Sequence, residues 1–267
     1  MKNQEKARSV IASFTVLMLT ICTVTMIGLL VITPFFLSQN ALTEAMEKST
    51  FSSNVYDEWL VKSKDIATQY GVDEEVVNSL ISQTKMEEDI GLTLQETNLD
   101  GDPFIDTLSL SQELRSRLVA FMESQGLTLT SEVQAGIDEL VDLVTDDYIR
   151  SATIPYYDLY LSARDRIGIP ARNLSIILFL LIVSLAYFLA RLLPRRQWYR
   201  SMTTVVLSTG WIYFLIPGFL YVEGFYDRIQ IRPYSIQRLA ALLLENGLVK
   251  LIGVGFVLVL VGSILMY

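Results

Sequence analysis

The sequence predicts an all-α integral membrane protein, a bundle of four transmembrane helices with a helical bundle inserted between the first and second spans. Four apolar stretches are each long enough to cross a hydrocarbon core of about 30 Å, which takes about 20 residues of helix. Residues 38–172, which separate the first two stretches, carry 25 Asp and Glu against 10 Lys and Arg. The whole chain has 51% hydrophobic and 19% charged residues, a composition that agrees with a mixture of membrane and soluble parts.

The predicted segments follow the order of the apolar and polar stretches. They are a cytoplasmic N-terminus (1–8), a first span (9–37), an acidic extracytoplasmic helical domain (38–172), a second span (173–193), a basic cytoplasmic loop (194–202), a third span (203–222), an extracytoplasmic segment with an amphipathic helix (223–246) and a fourth span (247–267). The first span could instead belong to a signal peptide. Its apolar run exceeds the usual length of about 7–15 residues, so an uncleaved anchor is predicted.

Basic residues precede the first span and fill the loop between the second and third spans. Loops that stay in the cytoplasm carry an excess of Lys and Arg. Both basic segments are therefore predicted to be cytoplasmic, which places both termini inside the cell and residues 38–172 outside the cytoplasm. The residues that determine this orientation are Lys2, Lys6, Arg8, Arg191, Arg195, Arg196 and Arg200.

The residues that the chain lacks exclude several kinds of chemistry. Cys22 is the single cysteine, so no intrachain disulfide can form, and this favours a Gram-positive surface. Without histidine, Ser-His-Asp and Cys-His catalysis and the commonest zinc sites are excluded. The acidic stretch argues against binding to nucleic acid, whose phosphates need Lys and Arg. We expect no enzymatic activity, no cofactor and no nucleic-acid partner.

Apolar stripes at helical spacing predict a string of helices in the acidic domain. The stripes cover residues 54–70, a segment from Asp73, residues 111–125 and a segment from Ser131, and a further, polar helix is predicted over residues 84–97. Gly71 and Gly126 stand where C-terminal caps are expected, and Ser131 with Gln134 has the spacing of a capping box. These helices predict a small antiparallel bundle.

One loop of the acidic domain places oxygen side chains at every second residue, as a calcium loop does. The candidate metal ligands are Asn98, Asp100, Asp102 and Asp106. The loop departs from an EF-hand because Pro103 stands where glycine is needed and Ser109 where glutamate is needed. The preferred interpretation is an ordinary turn with Asp106 near a helix start.

Aromatic residues cluster beside the second span and in the basic loop. Tyrosine and tryptophan suit the membrane interface, where the ring is half buried and its polar group stays in water. A ligand-binding aromatic patch is the alternative. The residues predicted to lie at the interface are Tyr156, Tyr157, Tyr160, Trp198 and Tyr199.

Small residues in the spans, among them Gly255 and Gly262, predict close helix packing, with a pore lining as the alternative. No acidic or basic residue lies near the middle of a predicted span, which argues against a proton-coupled carrier.

An apolar stripe over residues 236–243 predicts a helix lying on the surface that leads to the fourth span at Gly247. The same segment could form a platform for the exported bundle.

Three stretches of the acidic domain carry a resemblance to known proteins. They are Val55-Tyr-Asp-Glu-Trp59, Tyr70-Gly-Val-Asp-Glu-Glu-Val-Val77 and Leu127-Thr-Leu-Thr-Ser-Glu-Val-Gln134. In this order they resemble a family of uncharacterised four-span membrane proteins of Gram-positive bacteria, which implies no activity. The order of spans also resembles permease subunits of the FtsX or MacB type, in which an exported domain lies between spans one and two.

Three functions agree with these observations. The leading hypothesis is a non-enzymatic protein of the cell membrane whose exported helical domain is a binding, sensing or scaffold module, with the bilayer and other membrane or surface proteins as partners. The second is a transport or mechanotransmission subunit of an ABC-type complex. The third is an intramembrane or surface enzyme, for which Asp100, Asp102 and Asp106 form the candidate acidic site.

Overall fold

The computed structural model describes residues 2–36, 38–72, 76–77, 80–95, 105–126, 128–154 and 157–266. Every regular element within these ranges is helical, which confirms the predicted all-α class. The α-helices of this part of the chain are α1 (Lys2–Phe36), α2 (Gln39–Lys48), α3 (Phe51–Gln69), α4 (Gln83–Gln95), α5 (Thr107–Ser124), α6 (Ser131–Ala152), α7 (Tyr157–Leu192), α8 (Arg195–Val222) and α9 (Tyr234–Met266). A short 3-10 helix covers Phe225–Arg228.

The chain divides into two compact units. The spanning unit comprises Met1–Ala45, Tyr160–Ile231 and Gln237–Tyr267, and the acidic unit comprises Met46–Leu159 and Arg232–Ile236. The acidic unit is therefore built from one long insertion after α1 and one short segment at the start of α9.

Within the described ranges, four helices are long and apolar enough to cross a membrane. Their apolar stretches are Lys6–Pro34, Leu159–Leu192, Arg195–Val222 and Tyr234–Met266, of 28 to 34 residues each. Large apolar side chains point outward from them, such as Phe219 at 65% and Ile264 at 74% exposure. Because apolar surface on this scale is unfavourable in water, the helices are those of a multi-pass membrane protein.

Helices α8 and α9 approach each other through glycines. A Cβ added to Gly255 would lie 2.6 Å from the carbonyl carbon of Tyr213, and one added to Gly210 would lie 2.8 Å from the backbone nitrogen of Val259. A Cβ on Gly262 would also collide, with a leucine side chain of α8. Only glycine permits backbones this close, which confirms the close packing predicted at Gly255 and Gly262.

Helix α1 packs against α8 through a tyrosine. The Tyr213 hydroxyl donates a hydrogen bond to the carbonyl oxygen of Val24. A Cβ on Gly28 would come within 2.8 Å of the same hydroxyl, so this glycine leaves room for the tyrosine. A buried tyrosine hydroxyl normally finds such a partner, and here the partner ties two spans together.

The acidic unit has an aromatic core between α3 and α6. Trp59 and Tyr148 are fully buried, and Phe51 is 1% exposed. The rings of Trp59 and Tyr148 meet edge to face, with their centroids 5.7 Å apart. Helix α5 adds an apolar stripe at helical spacing, namely Leu110, Leu114 and Leu118. This core explains why the sequence shows 3.6-residue periodicity throughout the insertion.

The helix ends differ from the prediction in two places. Thr130, not Ser131, is the N-cap of α6, because its side chain accepts a hydrogen bond from the backbone N–H of Val133. The predicted N-cap is therefore wrong by one residue. The capping box predicted at Ser131 and Gln134 is also wrong, because the N3 residue of the helix is Val133. Helix α5 begins at Thr107, four residues before the predicted start, since Asp106 provides a cap there.

Two apolar helices also extend further than the stripes indicated. Helix α7 runs without interruption from Tyr157 to Leu192, so it includes the polar residues before the second apolar stretch. Helix α9 runs from Tyr234 to Met266, so the helix predicted over residues 236–243 and the fourth apolar stretch form one element. Gly71 and Gly126 have φ of 71° and 72°, the left-handed conformation expected of residues after helix ends.

Candidate functional site

Helix α6 presents a row of carboxylates to solvent, which we call the acidic face. It consists of Glu132, Asp138, Glu139, Asp142 and Asp146, all of which are exposed. At 100° per residue these positions fall within an arc of about 120°. The opposite side of the helix is buried in the core of the acidic unit, through Ile137, Leu140, Val144 and Tyr148.

Two members of the acidic face have partners within the acidic unit. Asp138 forms an ion pair with Arg115 on α5, with 2.9 Å between oxygen and nitrogen. Glu139 forms a hydrogen bond with Tyr70, and partial burial together with this carboxylate raises the pKa of Tyr70. Glu132, Asp142 and Asp146 have no hydrogen bond or ion pair with another side chain among the residues that the structure describes. Their charges are therefore available to a partner.

A second group of charged residues is enclosed inside the acidic unit. Asp89 on α4 is 3% exposed, and its carboxylate accepts a hydrogen bond of 2.6 Å from the Tyr148 hydroxyl. Lys85 lies 2.9 Å from the other oxygen of the same carboxylate. Burial and the adjacent Asp89 raise the pKa of Tyr148. Because buried charges need such partners, this group links α4 to α6 and has a structural role.

Several polar atoms between α3 and α6 are buried with no hydrogen-bond partner in the described part of the chain. They are Trp59 Nε1, Ser63 Oγ, Thr145 Oγ1 and Asp147 Oδ2. Burial raises the pKa of Asp147, although Lys62 and Arg150 act in the opposite direction. A carboxyl in this setting holds its proton more tightly than one in water.

The candidate calcium loop lies largely outside the described residues. Asn98, Asp100 and Asp102 fall there, whereas Asp106 is described as the N-cap of α5. Its Oδ1 accepts a hydrogen bond of 3.1 Å from the backbone N–H of Ser109. Within the described ranges no group of three or more acidic, cysteine or histidine residues could hold a metal ion.

The aromatic residues predicted at the interface take different positions. Tyr157 is buried in the acidic unit, and Tyr156 lies outside the described residues. In the spanning unit the Tyr160 hydroxyl donates to the carbonyl oxygen of Ser38 at 3.1 Å. Trp198 Nε1 donates to the carbonyl oxygen of Ala186 at 3.1 Å, which connects α8 to α7. Tyr199 is 52% exposed next to it.

The basic residues at the α7–α8 turn contact aromatic rings. The guanidinium of Arg191 lies 5.4 Å from the ring centre of Tyr187, and that of Arg195 lies 5.9 Å from the ring centre of Tyr199. The remaining residues predicted to set the orientation are exposed, namely Lys6, Arg8, Arg196 and Arg200, and the side chain of Lys2 falls outside the described part. These cation–π contacts are compatible with a position at the membrane interface, where the guanidinium groups stay in contact with water.

Two of the larger clefts among the described residues open within the spanning unit, and both arise from tertiary packing that a sequence pattern does not reveal. The basic cleft, of about 750 Å³, lies between α1 and the α7–α8 turn and contains Arg8, Arg200 and four hydroxyl side chains. The apolar groove, of about 800 Å³, lies between α1 and α7 and contains Leu30, Phe179, Arg164 and Arg172.

The chain matches no protein-family model, no curated protein and no solved structure. The resemblance to four-span proteins of Gram-positive bacteria and to FtsX or MacB permease subunits therefore stays a prediction. The acidic face and the two clefts are the features from which a function can be argued.

Proposed function

We propose that this is a non-enzymatic membrane protein whose acidic unit binds a partner protein, while the four spans anchor it. The observation that carries this proposal is the acidic face of α6. Its five carboxylates lie along one side of a helix whose other side is already used by the core. Asp138 and Glu139 have partners within the acidic unit, but packing does not explain Glu132, Asp142 and Asp146, which have no side-chain partner among the described residues.

The partner proposed has a cationic surface. Unpaired carboxylates in a row attract positive charge and speed the encounter of oppositely charged proteins, and the effect falls as ionic strength rises. Glu132, Asp142 and Asp146 provide three such charges. Residues 38–172 have a net charge of −15, so neighbouring surfaces add to the same field.

The orientation belongs to the same proposal. We propose that the α7–α8 turn is cytoplasmic, with the acidic unit on the other side of the membrane, and the exposed arginines at this turn support that orientation. A partner protein would then be exported or embedded in the membrane. Cys22 is buried in α1, so cysteines introduced at exposed sites can be labelled selectively.

Labelling of whole cells with a membrane-impermeant thiol reagent tests the orientation. We expect Gln134→Cys, at the exposed start of α6, to react, and Gln197→Cys, at the start of α8, to react only after the membrane is opened. Reaction of Gln197→Cys in intact cells, with protection of Gln134→Cys, would reverse the orientation.

Capture of the intact protein in mild detergent, followed by crosslinking and mass spectrometry, tests the binding proposal. Replacing Glu132, Asp142 and Asp146 with Gln, Asn and Asn removes three charges from the acidic face. A matched variant replaces Glu87, Glu88 and Glu123 with Gln, which removes three exposed charges from α4 and α5. We expect a specific partner to be lost from the first variant and retained by the second.

The result also separates the alternatives. Recovery of the chain alone would contradict a binding module, and equal loss in both variants would show that net charge, not the acidic face, holds the partner. An ATPase that is captured by both variants would support the second hypothesis, a transport or mechanotransmission subunit.

A further inference from the structure

The basic cleft combines features that a phosphate ligand needs. Arg8 from α1 and Arg200 from α8 line it together with the hydroxyls of Ser9, Ser13 and Ser201, whereas the Thr204 hydroxyl donates to the carbonyl oxygen of Arg200. Both arginines are exposed, and neither has an ion pair with a described residue. None of the residues that line the cleft is acidic. Guanidinium groups next to hydroxyl donors favour an oxyanion, and arginine can bind a phosphate through two parallel hydrogen bonds.

The start of α8 adds a positive electrostatic potential. Pro194, the N-cap of this 28-residue helix, and Gln197 both line the cleft, and because the Gln197 N–H is bonded to the Pro194 carbonyl oxygen, the helix end acts there through its dipole. The N-terminal end of a helix carries about half a positive charge from its unpaired N–H groups and attracts anions. The helix end and the two arginines therefore favour the same kind of ligand.

The deeper wall of the cleft is apolar. Ala12 and Val16 from α1 and Leu192 from the end of α7 line it beside the charged groups. A free inorganic phosphate has no apolar surface to bury against this wall, whereas the apolar part of an amphiphile can pack against it. Trp198 and Tyr199 follow within the first turns of α8, and these residue types concentrate at the level of lipid headgroups.

We infer that the basic cleft binds the phosphate of an anionic phospholipid, held by Arg8 and Arg200, with the acyl chains along the apolar wall. This site is independent of the acidic face and of any protein partner. It would give the protein a preference for anionic over zwitterionic lipid at this end of the spans.

Native mass spectrometry of the full chain, exchanged into phosphatidylglycerol or phosphatidylcholine, tests this site. We expect the wild type to retain phosphatidylglycerol and to release phosphatidylcholine. The double variant Arg8→Gln/Arg200→Gln should bind phosphatidylglycerol about thirtyfold more weakly, because each basic residue near an anionic lipid contributes a factor of about five. The matched variant Arg195→Gln/Arg196→Gln removes the same charge outside the cleft and should keep the tightly held lipid.

A third variant tests the position of the site without changing charge. Ser13→Trp places a large ring in the cleft and should release the lipid as the double variant does, while thermal unfolding in detergent confirms that each variant is folded. Wild-type lipid retention by Ser13→Trp would overturn the assignment, and so would equal weakening in the two arginine variants, which indicates general attraction to the membrane.

A competition experiment distinguishes the two sources of phosphate. Inorganic phosphate at millimolar concentration should leave the retained phosphatidylglycerol in place. Displacement of the lipid by inorganic phosphate, with its loss in the Arg8→Gln/Arg200→Gln variant, would overturn the lipid assignment in favour of a soluble phosphate ligand.

Discussion

Trp59 in the acidic unit is fully buried, whereas Trp211 in the spanning unit is 46% exposed. The same contrast holds more widely. The acidic unit encloses its largest side chains, and the spanning unit turns many of its own outward and joins helices through Gly210, Gly255 and Gly262. One chain therefore follows two packing rules.

The difference follows from the solvent of each unit. In water, burial of apolar area drives folding, so the largest side chains contribute most when they are inside. In lipid the surroundings are as apolar as the side chains, so helix association depends on close van der Waals contact and on hydrogen bonds between helices. Matched substitutions in the two units measure this difference.

The largest effect is expected from the two tryptophans. Trp59→Ala should lower the free energy of unfolding of the acidic unit by about 3–5 kcal/mol, because it leaves a cavity in the core. Trp211→Ala should cost less than about 1 kcal/mol, since its ring already faces outward. Hydrogen exchange of α3 and α6 amides in the full chain measures the first, and unfolding in mixed micelles measures the second. Equal losses would contradict the comparison.

The next effect concerns the close contact between α8 and α9 at Gly210, Gly255 and Gly262. Gly255→Ala should destabilise the spanning unit by about 3 kcal/mol, the upper part of the range for overpacking, because its Cβ would meet the backbone of α8. Gly253→Ala is the control, since a Cβ there meets nothing within 4 Å. Both are compared by unfolding in mixed micelles. A tolerant Gly255→Ala would mean that the two helices can separate at no cost.

Two tyrosine hydroxyls compare hydrogen bonds in the two units. Tyr148→Phe removes a donor from the buried carboxylate of Asp89 and should cost about 2 kcal/mol, measured by hydrogen exchange. Tyr213→Phe removes the hydrogen bond to Val24 between two spans and should cost about 0.6 kcal/mol in mixed micelles. A larger loss for Tyr213→Phe would show that the α1–α8 contact depends on this bond.

The smallest effect is a pH dependence at Asp147. Burial raises the pKa of Asp147 in the folded state above its ordinary value of 3.8, so the folded protein binds this proton more tightly than the unfolded chain. Stability from this group is thus lost as pH rises from about 4 through the folded pKa. Asp147→Asn should remove this slope in urea titrations followed by hydrogen exchange. Asp146→Asn, which is exposed, should keep it.

The fold class was accessible from the sequence because long apolar runs and 3.6-residue stripes are local signals. The buried stripe Leu110, Leu114 and Leu118 lies on a helix that the pattern predicted. The stripe alone predicts a start at residue 111, four residues late, whereas the expectation that Asp106 lies near a helix start is confirmed by its position as the N-cap. The N-cap Thr130 was missed because Ser131 offers an equivalent side chain one residue later.

The candidate sites were less accessible because they depend on residues that are distant in sequence. Arg8 and Arg200 were recognised as basic residues that set the orientation, yet nothing in their spacing indicates that they line one cleft. Similarly, Asp89 belongs to an acidic run, Glu87-Glu88-Asp89, that resembles a solvated surface. Its burial against Tyr148 depends on the packing of α4 on α6.

The connection between α7 and α8 consists of Leu193 and Pro194 alone. Two residues span at most about 7 Å, so the C-terminal end of one helix and the N-terminal end of the next must stay side by side. The two helices therefore form a helical hairpin, which the hydrogen bond from Trp198 Nε1 to the carbonyl oxygen of Ala186 also joins. The exposed arginines of this turn therefore lie on helix ends, and a protease or binding protein that requires an extended loop has no such segment to bind there.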